Sequence, residues 1–283
     1  MARENRLGEF LQARRALLTP EAAGISAYGR RRVPGLRREE LAQLAGVSVD
    51  YYVRLEQGRA AHPSAEVLDA IARALQLDEV ERAHMHQLAT PSPVRRRTPA
   101  PERVAPRLEH LLAAMENVPA IVIGRRMDVL AWNRLAMALM GASGWLTPDR
   151  PNLARMMFLD AACRELYTDW ERHARETVGY LRHCAGRHPD DPGIAALVGE
   201  LSVKSEPFAR WWADHLVREK ASGTKRYQHP IVGELTLNFE TFVPPGAPDQ
   251  AMITYVAEPG SASETALRLL ASWAATEERV ATP

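Results

Sequence analysis

Between Thr90 and Pro106 the chain places five prolines, Pro91, Pro93, Pro99, Pro101 and Pro106, in seventeen residues. Proline fixes φ and has no amide hydrogen to donate, so no helix continues through such a stretch. With Arg95, Arg96 and Arg97 among them, residues 91–106 read as an extended linker. The linker divides the chain into a first unit, 1–90, and a second, 107–276. A length of 283 residues suits two domains of ordinary size. Apolar residues make up 46%, enough for each to bury a core.

Charge separates the two units further. Residues 1–97 hold sixteen Arg against twelve Asp or Glu, a net of +4, and the remainder carries a net of −3. A basic front and a mildly acidic back suggest that only the front meets a polyanion. Cys163 and Cys184 have neither metal-ligand nor redox spacing and read as reduced thiols, and no metal site is expected. Met1 to Phe10 carries charges and no apolar signal segment. The most apolar stretch, Met127 to Leu146, is interrupted by Asp128, Asn133 and Arg134, too polar for a bilayer. The expectation is a soluble, cytoplasmic protein.

In the first unit, Leu7, Phe10, Leu11 and Leu18 recur at helical spacing over 3–18. Thr19-Pro20-Glu21 then reads as a stop followed by a new start. Residues 24–35, with Gly24, Gly29, Pro34 and Gly35, read as a loop. A short helix from Arg38 to Ala45 buries Leu41, Ala42 and Ala45, and Gly46 ends it. Ser48 caps a second helix that buries Tyr52 and Leu55 and stops at Gly58. Two short helices joined by a glycine-bearing turn make a helix-turn-helix. Ser64 caps a fourth helix bearing Val67, Leu68, Ile71 and Leu75, and Asp78 with Glu81 begins a fifth.

The second unit mixes periods. Ala120 to Ile123 and Val129 to Trp132 read as short strands, and 133–141 as a helix. Residues 152–186 and 194–215 read as two helices separated by the turn His188 to Gly193. From Gly223 the period becomes two: residues 234–240 alternate polar and apolar strictly, and 251–256 pair plausibly with them. Ser261 to Trp273 closes with a helix. Strands at both ends of a helical middle give an α+β domain with a mainly antiparallel sheet.

Leu36 to Arg59, with ELA, AGVS and LEQGR in order, resembles the DNA-binding domain of Xre/Cro-type repressors. The resemblance continues in GRRMDVLAWN (124–133), LYTDW (166–170), GRHPDDP (186–192), LVGEL (197–201), HPIVGELTL (229–237) and EPGS (258–261). These are similar to the MmyB-like subgroup, in which an Xre-type domain precedes a ligand-binding domain of PAS-like fold. The resemblance spans about residues 5 to 275. It implies a multidomain protein: an all-α, five-helix DNA-binding domain, then an α+β PAS-like domain. It also implies a transcription regulator whose second domain senses a lipid-like molecule such as a fatty acid, with no cofactor.

By position in the motif, Ser48 to Gln57 is the recognition helix, entering the major groove by its N-terminal residues. Val49, Asp50 and Arg54 are the base-reading candidates, with Tyr51 at the margin: Val49 for a thymine methyl, Asp50 for cytosine N4, Arg54 for guanine. Arg38 stands where the wider family has a phosphate-contacting Gln. Gln57, Arg59 and the run Arg30, Arg31, Arg32 are further phosphate candidates. Glu56 faces back into the domain. For the ligand, an apolar pocket is expected between the sheet and the helices of 133–215, walled by Met137, Leu139, Met156, Met157, Phe158, Trp170 and Trp212. Arg126 or Arg155, buried, would meet an acidic end group, because the guanidinium fork matches a carboxylate.

No Walker loop, GxGxxG, GxSxG or HExxH occurs, so no enzyme is expected. Cys163 with His173 and His183 is the one nucleophile-and-base set to weigh, and helical spacing does not bring it together. One recognition helix reads few bases, so the expected assembly is a homodimer on double-stranded DNA. The alternative is a DNA-binding regulator whose second domain is only a dimerisation or protein-interaction module.

Overall fold

The computed structural model describes residues 5–25, 34–60, 63–89, 102–141, 151–215, 217 and 222–281. Residues 30–32 and most of the proline-rich linker lie outside them. Among the described residues the first unit is helical: α1 (Arg6–Leu17), α2 (Arg38–Ala45), α3 (Val49–Glu56), α4 (Ala65–Ala74) and α5 (Glu79–Ala89). Their ends carry the expected caps. Gly46 closes α2 at φ 67°, Ser48 Oγ accepts from the Tyr51 amide at 3.2 Å, and Ser64 Oγ accepts from Val67 at 3.4 Å. Asp78 and Glu81 cap each other reciprocally at 2.8 and 3.2 Å. Thr19-Pro20-Glu21 starts a single turn, not a helix. The Ala22 amide does bind Thr19 Oγ1 at 3.3 Å, but Gly24 at once adopts φ 73°. Phe10, Leu11, Leu41, Tyr52, Leu55, Ile71 and Met85 form the core.

Pro106 is the first residue of α6 (Pro106–Ala114), a position where its missing amide costs nothing, so the linker ends one residue sooner than expected. Then follow β1 (Ala120–Ile123), β2 (Val129–Trp132), α7 (Arg134–Gly141), α8 (Leu153–Leu159), α9 (Ala161–Leu166), α10 (Trp170–Arg187), α11 (Pro192–Lys204), α12 (Glu206–Ala213), β3 (Ser222–His229), β4 (Gly233–Phe242), β5 (Ala251–Ala257) and α13 (Ala262–Ala281). The five strands form one antiparallel sheet in the order β2-β1-β5-β4-β3. Helices α7 to α12 and α13 enclose a core with one sheet face, centred on Ile121, Tyr227, Leu235, Leu237, Ile253 and Tyr255. Helix α6 covers part of the other face, with Leu112 in one cluster with Ala120 and Val122 of β1 and Met252 of β5.

The two long helices expected in the middle are each broken. Asp160 is extended, and its carboxylate accepts from the Ala162 amide at 2.9 Å, ending α8 and starting α9. Tyr167 is also extended and bridges to Tyr227 of β3. Ser205 ends α11 and caps α12 through Phe208 N at 3.4 Å, with Pro207 in the first turn. Among the described residues no helix is long and apolar enough to cross a membrane.

The two units touch. α5 lies against α10, where a Cβ at Gly186 would overlap the His84 ring. His84 meets Phe10 of α1 edge-on at 5.4 Å, and Arg6 donates to the Pro189 carbonyl at 3.2 Å. Burial, then the charges of Arg182, His183 and His215, holds the His84 pKa down to about 3. Burial and Arg182 hold His215 at about 4, and burial lowers Arg182 itself to about 10, opposed by Glu9 and Asp214. Both imidazoles are lowered in the folded state, so the unfolded chain binds more protons below its ordinary histidine pKa. Stability is therefore whole above about pH 6.5 and falls as pH drops towards 4 and then 3. For His84 the slope reaches about 1.4 kcal/mol per pH unit, and for the more accessible His215 it is smaller. Thermal melts between pH 7 and 4 should fall more steeply in the wild type than in His84→Gln; equal slopes would refute the assignment.

Candidate functional site

The outer face of α3 is set by what its inner face buries. Tyr52, Leu55 and Glu56 point into the domain, so Val49, Asp50 and Arg54 are left on the exposed side. Tyr51 and Val53 lie between the two faces, and Ser48, Gln57 and Arg59 are exposed at the helix ends, with Arg59 donating to Gln57. The Asp50 side chain is 82% and Arg54 50% exposed, and they pair loosely at 3.8 Å one turn apart. A surface pair of this kind is worth only about 0.3–0.5 kcal/mol, so it holds neither group firmly in place.

Glu56 anchors this helix. Its side chain is 1% exposed and is gripped by two arginines. Arg15 of α1 donates through Nε at 3.1 Å and Nη2 at 3.0 Å, and Arg38 through Nε at 2.9 Å and Nη2 at 2.8 Å. Burial alone would raise the Glu56 carboxyl, and these hydrogen bonds overcome it and hold the pKa below its ordinary value. Arg38, expected at a phosphate, thus spends two of its donors on Glu56 while its side chain stays 42% exposed. The cluster of one carboxylate and two guanidiniums keeps a net positive charge beside the recognition helix. Arg15 was not visible as a partner because its spacing from Glu56, 41 residues, carries no local signal.

In the second unit, Met156, Met157, Phe158, Trp170 and Trp212 gather in one place with Phe208 and Trp211. The Phe158 ring meets Phe208 at 5.1 Å, Trp170 at 6.1 Å and Trp211 at 6.2 Å. Trp212 stacks on Phe208 at 5.6 Å, and Trp170 Nε1 donates to the Met157 carbonyl at 2.9 Å. Met137 and Leu139 pack on the same core from α7. These side chains, expected to line a pocket, pack against one another. A groove of about 510 Å³ lies between α6 and β2, beside Leu112, Met115, Leu130 and Trp132. A second, of about 330 Å³, runs along α13 beside Val256. A cleft of about 50 Å³ between α10 and the β4–β5 end is bounded by Tyr180, Cys184, His188 and Asp249.

The two arginines expected inside are not buried. Arg126 grips Asp191 at 2.7 and 2.9 Å beside the start of α11, where Asp191 also caps Gly193 at 2.8 Å. Arg155 pairs with Glu200 at 2.9 Å and is 46% exposed. Both cations already have carboxylate partners. An unexpected interior cation is Lys225 of β3, which is 3% exposed. Its ammonium lies 5.2–5.4 Å from the ring centres of Tyr167, Phe239 and Tyr255. Other isolated polar groups are structural. Asn133 accepts from Ala136 at 2.9 Å and donates to Met115 and Val118 at 2.7 Å, and His229 donates to Ala138 at 3.1 Å.

Burial pushes the Cys184 thiol up to about 12 and raises Cys163 as well, so neither is a thiolate near neutrality. His173 is engaged with Glu176 at 3.1 Å. Among the described residues no cluster of His, Cys, Asp or Glu is placed to hold a metal.

A family model described as a helix-turn-helix domain matches residues 6–85. A second, described as the MmyB-like transcription regulator ligand binding domain, matches residues 104–270. No curated protein matches the chain. The longer match covers more than half of the sequence and follows the helix-turn-helix in the order that the motifs predict. On that ground this protein belongs to the MmyB-like transcription regulators.

Proposed function

We propose that the protein binds specific DNA sites as a homodimer and that its PAS-like second domain responds to a fatty-acid-like effector. The observation that carries the DNA half is the outer face of α3, where Val49, Asp50 and Arg54 stand clear on a helix fixed by the Glu56 cluster. Arg54 reads a base, and Arg38, Gln57 and Arg59 steady the backbone. Two copies would place their recognition helices about one DNA turn, roughly 34 Å, apart. Arg54→Ala should cost roughly 1–3 kcal/mol on a selected site and relax preference at one position. Arg38→Ala should weaken all sequences alike. Binding-site selection with both variants tests this, and unchanged base preference in Arg54→Ala would exclude this face.

For the effector, the Met and aromatic cluster around Phe158 supports an apolar chain, since methionines yield to irregular occupants. A ligand there must displace side chains, and so it separates two forms of the domain. Calorimetry with fatty acids of increasing length tests the reading: no heat and no shift in melting temperature for any length would remove it. The close packing of the same cluster favours a second reading, in which this domain only joins protein to protein. Leu269 and Trp273, exposed one turn apart on α13, are then the residues to replace in a sedimentation experiment.

A further inference from the structure

Helix α12 and the chain just beyond it reach two different cores. Phe208 and Trp211 are buried in the second domain, and Trp212 packs against the same cluster. Four residues beyond α12, Val217 is 2% exposed and joins the core of the first domain with Phe10, Leu11 and Met85. The short path between them is held from α10 by Arg182. Its guanidinium lies 4.0 Å above the Trp212 ring, donates to the Trp212 carbonyl, and donates to His215 Nδ1 at 3.1 Å. His215 turns the chain at φ 52°, a conformation that few side chains adopt without support.

We propose that α12 and the turn at Asp214 and His215 are the lever by which the second domain acts on the first, with Val217 as a removable part of the DNA-binding domain's own core. Arg182 braces the end of α12 against His215, so the two move together, and close-packed cores switch between arrangements and do not stretch. Any rearrangement of Phe208, Trp211 and Trp212 therefore withdraws or turns Val217, loosening α1 and α5, and the recognition helix packs on α1. Arg182 sets how tightly the two ends are joined. The lever rests on the proposed ligand sensing only for its trigger; the coupling itself is present in the free protein.

Hydrogen exchange on the full chain tests it. In Val217→Ala, amides of α1 and α5 should exchange roughly ten-fold faster while β4 and β5 keep their protection. Trp212→Ala, a change within the second domain, should loosen α1 and α5 in the same sense. Wild-type exchange of α1 and α5 in both variants would overturn the lever. Addition of tetradecanoate then addresses the trigger. A change in α1 and α5 in the wild type that is absent from Val217→Ala supports the whole route. If calorimetry shows no tetradecanoate binding, the lipid reading falls, and the two variants still decide the lever.

Discussion

Glu56→Ala is expected to destabilise the DNA-binding domain by about 3–5 kcal/mol, the usual result of leaving a buried charge without its partner. The loss falls on Arg15, whose side chain is 12% exposed and is oriented by Glu56 and the Leu36 carbonyl. Arg38, 42% exposed, turns to water at little cost. Glu56→Gln keeps the shape and removes the charge, so it should lose most of the same stability. Replacing the interior pair together, Arg15→Met with Glu56→Leu, should be much milder, because an apolar pair of similar volume avoids desolvation. The tryptophans all lie beyond residue 131, so exchange of α1 to α3 amides is the appropriate measurement. A cost below about 1 kcal/mol for Glu56→Ala would show that the triad does not anchor the helix.

Phe208→Ala should have an effect of similar size in the other domain, about 3–5 kcal/mol. The side chain is fully buried, edge-on to Phe158 and stacked on Trp212 with ring planes 14° apart. Its removal leaves a cavity that Trp211 and Trp212 cannot fill without giving up the cations resting on them, Arg175 at 4.7 Å and Arg182 at 4.0 Å. Denaturant unfolding followed by tryptophan fluorescence measures the change. A cost under about 1 kcal/mol would mean that this cluster repacks freely.

What the sequence made legible and what it hid follow one physical line. The caps Ser48 and Ser64, the Gly46 turn and the Asp78–Glu81 box are local, and each acts where its spacing places it. The alternation over 234–240 likewise marks β4 because its inward positions, Leu235, Leu237 and Phe239, are apolar. Strand β3 was less legible because its inward positions are Lys225, Tyr227 and His229, polar groups that tertiary contacts make tolerable. The breaks at Asp160 and Ser205 carried legible cap residues, masked by apolar periodicity that runs on across them. At the DNA face the exposed side of α3 could be read in advance, but the engagement of Arg38 with Glu56 could not. Long-range pairing also accounts for Arg126 and Arg155: Asp191 and Glu200 lie 65 and 45 residues away, and no pattern in the chain announces them.

The extended pieces that interrupt the helical region have a bearing on how copies of this protein can associate. At the outer edge of β3, Tyr167 bridges Tyr227, the Thr168 amide donates to Arg226 at 3.1 Å, and Arg226 pairs with Asp169 at 2.6 Å. At the opposite edge, Asp128 bridges Asn152, and the Val129 amide donates to Pro151 at 2.7 Å. Each margin of the sheet is thereby occupied over part of its length, which shortens the run of backbone groups open to a second chain. Growth by strand addition, the route to swapped dimers and fibrils, thus meets an obstacle at each margin of the sheet.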